Sequence, residues 1–314
     1  MSLDLMNALL AVYKGELKRQ EPMAKHTTFK VGGPCDFYVK PASMEDLRIA
    51  VAFLSTQGVP LTIAGGGSNL LVADDGVKGA VITLSGIKEK ITHKVKGHGV
   101  TVRVPAGTLT SKLCSFAAEK GFSGLTFATG IPGTMGGALA MNASTEPSGW
   151  ETVVKEIEVV ERSGKVKTFS ADALSFSYRN LAIGGENRLC GGFPIIVSVT
   201  LHLSKGDAAG LLKARDEKLK RRKASQPVNL PSPGCFFKNP AGGPPAGQLI
   251  DELGFKGQRQ GGAMVSEVHA NYIVNTGDAT AEDILTLARR IQDEAQRVRG
   301  ISLQEEVTLV GNHP

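Results

Sequence analysis

The sequence predicts an α+β protein of two or three domains in which glycine loops come close to a ligand. Three observations predict it. The chain has 314 residues, too many for one ordinary core. Apolar residues recur at period two in some segments and at helical spacing in others. Glycine is frequent, at 38 residues, and gathers in clusters, the pattern expected where backbone must approach something closely.

The N-terminal stretch MSLDLMNALLAVYKGELKRQ reads as an amphipathic helix. It has Asp4 before any basic residue and no signal-type cleavage site, so it does not read as a secretory leader. TTFKVGGPCDFYVKP follows as strand, turn and strand, with apolar Val31, Phe37 and Val39 around Gly-Gly-Pro. SMEDLRIAVAFLSTQG is a helix with Ser43 as N-cap, Asp46 three residues on and Gly58 as its stop. VPLTIAGGGSNLLV is a strand that runs into a glycine loop.

From Ala80 to Ala106 the pattern shortens to the strands AVITL, ITHKV and VTVRVP, and the helix TLTSKLCSFAAEK ends at Gly121. A second glycine loop lies in TGIPGTMGGALAMNAS. VVKEIEVVERSGKVKTFS is a hairpin about Ser163-Gly164, and FPIIVSVTLHL is a buried strand. The last region holds a basic helix, the helix AGQLIDELG, the strand NYIVN, and a helix from Thr280 to Gly300. That helix has Thr280 and Asp283 at capping-box spacing and Ile284, Leu287, Ala288 and Ile291 on one face. LQEEVTLVG closes the chain as a strand.

Composition, with 41% hydrophobic and 21% charged residues, is that of a soluble globular protein. No apolar segment is long enough to cross a bilayer, which predicts no membrane insertion. Cys35, Cys114, Cys190 and Cys235 lie far apart with no C-x-x-C pair, so a reduced, cytoplasmic protein without a thiolate metal site is expected. Much of the net charge of +6 sits in KARDEKLKRRK, Lys213 to Lys223. A solvated helix face is its commonest reading and an anionic ligand the functional one. Nucleic acid is disfavoured, because aromatics are 5% of the chain and none interleave with this run.

Two stretches carry a binding signal. In GGGSN (Gly65, Gly66, Gly67, Ser68, Asn69) successive N–H groups can converge on a phosphate oxygen, with a hydroxyl and an amide as added donors. GIPGTMGG (Gly130, Ile131, Pro132, Gly133 through Gly136 and Gly137) repeats that logic. One such loop is more often a plain turn; two suit a long ligand with a pyrophosphate. Neither GxxxxGK[ST] nor a G-x-G-x-x-G opening a long helix is present, so a P-loop and a standard Rossmann domain are disfavoured.

Nearly end to end the chain resembles the UDP-N-acetylenolpyruvoylglucosamine reductase (UDP-N-acetylmuramate dehydrogenase) family. The residues that carry this are TTFKVGG, GGGSNLLV, GIPGTMGGALAMNA, SYRN, GCFFKNP, KGQRQGGAMVSEVHANYIVN and EEVTLVG, in this order. The resemblance implies three α+β parts, with 1–85 and 86–204 binding FAD in the manner of the vanillyl-alcohol-oxidase (PCMH-like) superfamily and 205–314 binding the UDP-sugar. It implies non-covalent FAD on the two glycine loops and Asn142, and hydride from NADPH passed to the double bond of UDP-N-acetylglucosamine enolpyruvate. It also implies a role in peptidoglycan precursor synthesis. No metal is expected.

By the same resemblance Arg179 faces the flavin and the substrate carboxylate, Glu306 donates to the developing enolate when protonated, and Cys235 delivers the proton. Tyr178, Asn239, Lys223 and Gln248 match substrate-side positions, and His269 and Asn271 shape the third part. Most members of that family carry serine where Cys235 stands. A thiol, with a reference pKa of about 8.5, is a better acid than an alcohol and is still mostly protonated at neutral pH, so cysteine can fill the role. Cys35, Cys114 and Cys190 read as structural.

This chain departs from the family pattern at Gln248, which replaces a lysine, and after Asn142, where MNASTEPSGW replaces a glycine-tyrosine run. The span from Leu203 to Lys223 is too short for the tyrosine-bearing loop of the longer subtype, which implies the loop-lacking kind. Two rivals stand beside this reading. An FAD oxidase of the same fold, acting on an alcohol or sugar, often links flavin through histidine, and no histidine lies in or beside GGGSN. A non-enzymatic, basic anion-binding protein explains the Lys213 to Lys223 run but not the two glycine loops.

Overall fold

The structure is a computed structural model, and it describes residues 3–146, 148–185 and 193–312. The chain divides into two compact units built from non-contiguous segments. The first comprises Met1–Arg19, Asp36–Gly66 and Gly79–Lys220; the second comprises Gln20–Cys35, Gly67–Lys78 and Arg221–Pro314. Among the described residues no helix is long and apolar enough to cross a membrane.

In the first unit the central sheet runs Val166–Ser170, Val154–Val160, Ile195–Lys205, Gly99–Pro105, Thr92–Lys96, all neighbours antiparallel, with Phe122–Ser123 pairing beside it on the long strand. The predicted alternation is realised in Gly99–Pro105, where Val100, Val102 and Val104 are buried. The strand Ile195–Lys205 is buried on both faces from Ile195 to Leu201, including Ser198 and Thr200, as its short β-branched run predicts. A register shift between Ile196 and Ser198 lets it serve two cores. Ile195 and Val197 pack with Leu47, Leu54 and Val160, whereas Val199, Leu201 and Leu203 pack with Leu113, Trp150 and Ile157. Trp150 is fully buried, and its Nε1–H donates to the Ala143 carbonyl at 2.9 Å.

The second unit holds the antiparallel sheet Arg259–Gln260, Ala263–Val265, Ile273–Asn275, and the parallel pair Leu70–Val72 with Thr308–Val310. Its core packs Ile284, Leu287, Ala288 and Ile291, one face of the helix Ala281–Arg299, with Leu249, Ile250, Phe236 and Phe237. Side chains join its scattered segments. Asn275 donates from Nδ2 to the Phe29 carbonyl at 3.0 Å, and Asn69 donates from Nδ2 to the Glu306 carbonyl at 3.0 Å. The expected capping box is present, with Gly300 left-handed at the other end. Asp74 adds to it from a distant segment, accepting from the N–H of Ala281 at 2.8 Å and of Glu282 at 3.0 Å.

Three expectations are corrected. The N-terminal stretch is not one helix: the helix Leu3–Leu10 ends early and Glu16–Pro22 is an edge strand, because it pairs with Pro34–Lys40. Thr27–Val31 is not a strand. Lys30 is left-handed at φ 55°, and Thr27 Oγ1 donates to the Val31 carbonyl, closing the segment on itself. Glu306 precedes the final strand, which starts at Thr308, although Glu305 makes an isolated bridge with Phe237.

Asp74→Ala removes two charge-assisted bonds from the first turn of Ala281–Arg299, and it is expected to destabilise the second unit by about 1–2 kcal/mol. The check is the urea midpoint; an unchanged midpoint would mean that Thr280 suffices as the cap.

Candidate functional site

The two glycine loops meet in the first unit, backbone against backbone. A Cβ on Gly66 would lie 2.9 Å from the Gly133 Cα, and one on Gly65 would lie 2.5 Å from Thr134 Oγ1. Neighbouring strand-like contacts hold the second loop in place. Thr110 N–H donates to the Gly133 carbonyl at 3.0 Å, Met135 N–H to the Thr108 carbonyl at 2.8 Å, and Gly136 N–H to the Ala106 carbonyl at 2.9 Å. Among the described residues, the N–H groups of Gly65, Gly66, Gly133, Thr134 and Gly137 donate to no protein acceptor. Gly65, Gly66 and Gly137 are exposed and Gly133 is half-buried. Thr134 is buried, and together these unpartnered N–H groups have the chemistry of a phosphate cradle.

Five of the other loop residues stand differently. Ile131 is buried and its N–H is used locally, by the Ala128 carbonyl, while Pro132 is exposed and has no N–H to give. In the second unit, a Cβ on Gly67 would meet the His26 carbonyl at 1.9 Å, and Thr28 N–H donates to the Gly67 carbonyl at 3.0 Å. Ser68 is half-buried, and the Asn69 amide is committed to Glu306 as described.

Asn142 has a left-handed backbone, φ 39°, and its Nδ2 donates to the Ser177 carbonyl at 2.9 Å. Its Oδ1 is buried without a partner among the described residues, so a donor from a bound group would be stabilised there. Ser177 opens the turn of a hairpin, Leu174–Ser177 with Asn180–Ile183, whose two turn residues are Tyr178 and Arg179. Tyr178 is 56% exposed, and the Arg179 guanidinium lies 5.0 Å from its ring centroid. Thus Asn142, Tyr178 and Arg179 come together in the first unit. The cradle and the orphaned amide oxygen are what a flavin dinucleotide would need; the residues present fit it.

In the second unit the segment carrying Cys235 runs beside Asn271. Phe236 N–H donates to the Asn271 carbonyl at 2.8 Å, Phe237 N–H to Asn271 Oδ1 at 2.9 Å, and Asn271 Nδ2 returns a bond to the Phe237 carbonyl at 2.8 Å. Glu306 N–H donates to the Phe236 carbonyl at 2.8 Å, so the Glu306 backbone pairs with the residue that follows Cys235. Cys235 is half-buried, whereas Cys35 and Cys114 are buried. Burial pushes the Cys114 thiol up to about 11, an inert state. Cys190 lies outside the described residues.

The softer expectations divide. Asn239 Oδ1 accepts from Ala246 N–H at 3.0 Å and so caps the helix Ala246–Glu252. Gln248 donates to Glu252 at 2.8 Å on an exposed helix face. Lys223 is exposed, near the end of Ala208–Ser225, a helix with no buried residue. Two residues not singled out for chemistry are Arg222, half-buried, and Tyr272, buried and hydrogen-bonded to Cys235. Proximity to Cys235 in the sequence signals neither; only Arg222 lay in a flagged segment. His269 sits edge-on to Tyr272 at 4.9 Å, and burial holds its imidazole below the ordinary value.

Comparison with known proteins gives this arrangement its family. Residues 35–170 match the family model of an FAD binding domain, and residues 226–310 match that of the C-terminal domain of UDP-N-acetylenolpyruvoylglucosamine reductase. The reductase of that name from Desulfosudis oleivorans is 42% identical over 304 residues, 96% of this chain and 97% of its own. The crystal structure of UDP-N-acetylenolpyruvylglucosamine reductase from Thermus caldophilus superposes with a TM-score of 0.76 at 35% identity, covering 95% of this chain and 99% of that one. A berberine bridge enzyme variant shares the fold alone, with a TM-score of 0.51 at 14% identity over 65% of this chain and 44% of its own. With near-complete coverage on both sides, the chain belongs to the UDP-N-acetylenolpyruvoylglucosamine reductase family, and it is an FAD-binding oxidoreductase of α+β fold.

Proposed function

We propose that this protein reduces UDP-N-acetylglucosamine enolpyruvate to UDP-N-acetylmuramate with NADPH, in the cytoplasm, as a step of peptidoglycan precursor synthesis. The observation that carries the mechanistic reading is the half-buried Cys235 with the Glu306 backbone paired to the next residue, both side chains acting on the Tyr272 hydroxyl. In this reading residues 1–85 and 86–204 serve FAD, and residues 205–314 serve the UDP-sugar. When bound, FAD supplies the hydride carrier between NADPH and the substrate.

The chain's own residues do the rest. Gly65, Gly66, Gly67, Ser68 and Asn69, with Gly130, Ile131, Pro132, Gly133, Gly136 and Gly137, form the two cofactor loops, and Asn142 contributes its amide. Reduction of the enolpyruvyl double bond leaves negative charge on the carbon next to the carboxylate. Arg179, a permanent cation, offsets that charge, and Glu306 in its protonated form donates a hydrogen bond to it. Cys235 Sγ–H then gives its proton to the carbon. Tyr178, Asn239, Lys223 and Gln248 contact the UDP-sugar, with Gln248 offering amide donors in place of a lysine charge.

An anaerobic visible spectrum tests the whole reading. The flavin band should bleach on adding NADPH and return on adding the enolpyruvyl UDP-sugar. Bleaching without return would favour an alcohol- or sugar-oxidising enzyme of the same fold, and absence of flavin would favour a basic anion-binding protein.

Cys235→Ala should still bleach with NADPH but lose turnover by about 10²–10⁴-fold, because only protonation is removed. Cys235→Ser should remain active; normal turnover of the alanine variant would remove Cys235 from the proton-donor role. Gly66→Val places a side chain where the Gly133 backbone lies, and purified protein should carry at least about tenfold less flavin, read as the ratio of flavin to protein absorbance. Full flavin content would mean that the loops do not cradle the cofactor.

A further inference from the structure

Tyr272 has no assigned part in the chemistry, yet it stands in the second unit against the residue that does. The Asn271 backbone carbonyl accepts from Phe236 N–H while its side-chain amide exchanges two bonds with Phe237, which fixes the register of the two segments, so that the residue after Asn271 lies beside the residue before Phe236. The Tyr272 side chain is 5% exposed and hydrogen-bonded to Cys235. Its ring is held edge-on by His269, and its N–H donates to the His269 carbonyl at 3.0 Å. Arg222 and Glu306 are the charged groups that act on its hydroxyl, the first favouring an anion in this cluster and the second opposing it.

Burial, first, and the neighbouring Cys235 raise the phenol far above its ordinary range. Tyr272 is therefore a neutral donor throughout the working pH range, with a single proton to offer. Sulfur is a weak acceptor as a thiol and a strong one as a thiolate, because charge-assisted hydrogen bonds are about twice as strong as neutral ones. A tyrosine donating to sulfur leaves the S–H proton itself uncommitted.

We propose that Tyr272 is a positioning residue for proton delivery: its hydroxyl donates a hydrogen bond to Cys235 Sγ, aims the S–H away from the phenol, and holds the thiolate left behind. This rests on Cys235 being the proton donor. In the step, the S–H bond breaks, its proton goes to the substrate carbon, and its electron pair stays on sulfur. Sulfur then regains a proton from solvent. The interaction strengthens as charge builds on sulfur, so it favours the proton-transfer transition state over the resting thiol.

A buried tyrosine hydroxyl also needs a partner for purely structural reasons, and the test must separate the two. Tyr272→Phe keeps the ring and its contact with His269 while deleting the donor. The pH dependence of Cys235 alkylation by iodoacetamide is measured on the purified protein, with Cys235→Ala as the background for other thiols. The midpoint should rise by about one pH unit in Tyr272→Phe, an approximately tenfold loss of thiolate at a pH below both midpoints. In steady state, kcat should fall with KM little changed, and the solvent deuterium isotope effect should grow. An unchanged alkylation midpoint in a variant with native near-ultraviolet circular dichroism would overturn the proposal and leave Tyr272 a packing residue. Failure of the underlying reading looks different, because Cys235→Ala would then turn over normally whatever Tyr272 does.

Discussion

A backbone N–H that finds no acceptor in its own protein must be met by water or by a ligand, and the first unit is organised around that requirement. Its two glycine loops leave Gly65, Gly66, Gly133, Thr134 and Gly137 with N–H groups that donate to no acceptor among the described residues. They can do so together only because Gly66 lies within 2.9 Å, at its would-be Cβ, of the Gly133 Cα. The remaining polar groups of the second loop are used to fix it: the Gly133 carbonyl accepts from Thr110, and Met135 and Gly136 donate to Thr108 and Ala106. Support on one side and unpartnered donors on the other are what a preorganised anion cradle requires, and they are the basis of the proposed cofactor loops.

The second unit solves a different problem, that of joining three separate pieces of chain into one core. Few backbone ladders cross those pieces, so side-chain amides and a carboxylate do much of the joining. Asn69, Asn275 and Asp74 each reach a segment more than two hundred residues away in sequence. Asn271 does the same over a shorter distance and sets where Cys235 stands. A buried amide that satisfies both its donor and its acceptor specifies one register, since any slip would leave polar atoms unpaired. The chemistry assigned to Cys235 depends on that register, because Asn271 pairs with the Phe236 N–H and so sets Tyr272, while Glu306 pairs with the Phe236 carbonyl.

Much of this was legible in the chain, and the exceptions have physical causes. The capping box at Thr280 and the hairpin at Ser163-Gly164 were readable because their signals are local. The hairpin that carries Tyr178 and Arg179 was not, since its turn contains no glycine, proline or asparagine at the bend and Arg179 takes φ 56° unaided by its side chain type. Thr27–Val31 carries a strand-like pattern, yet left-handed Lys30 and the Thr27 hydroxyl close it into a turn. Glu16–Pro22 has one buried residue and no clear alternation, and pairing within a sheet, rather than propensity, makes it a strand.

By itself the sequence determined the family, the α+β class and the flavin, and it supplied Cys235, Glu306 and Arg179 as proposed catalytic residues, because each rests on contiguous residues whose order survives in any conformation. Tertiary structure alone decided that each unit is assembled from three separate segments, that Arg222 acts on the Tyr272 hydroxyl, and that Tyr272 meets the thiol. Those facts arise from contacts between segments distant in the chain. No local propensity encodes such contacts; they exist only once buried amides and packed side chains have fixed which segment lies against which.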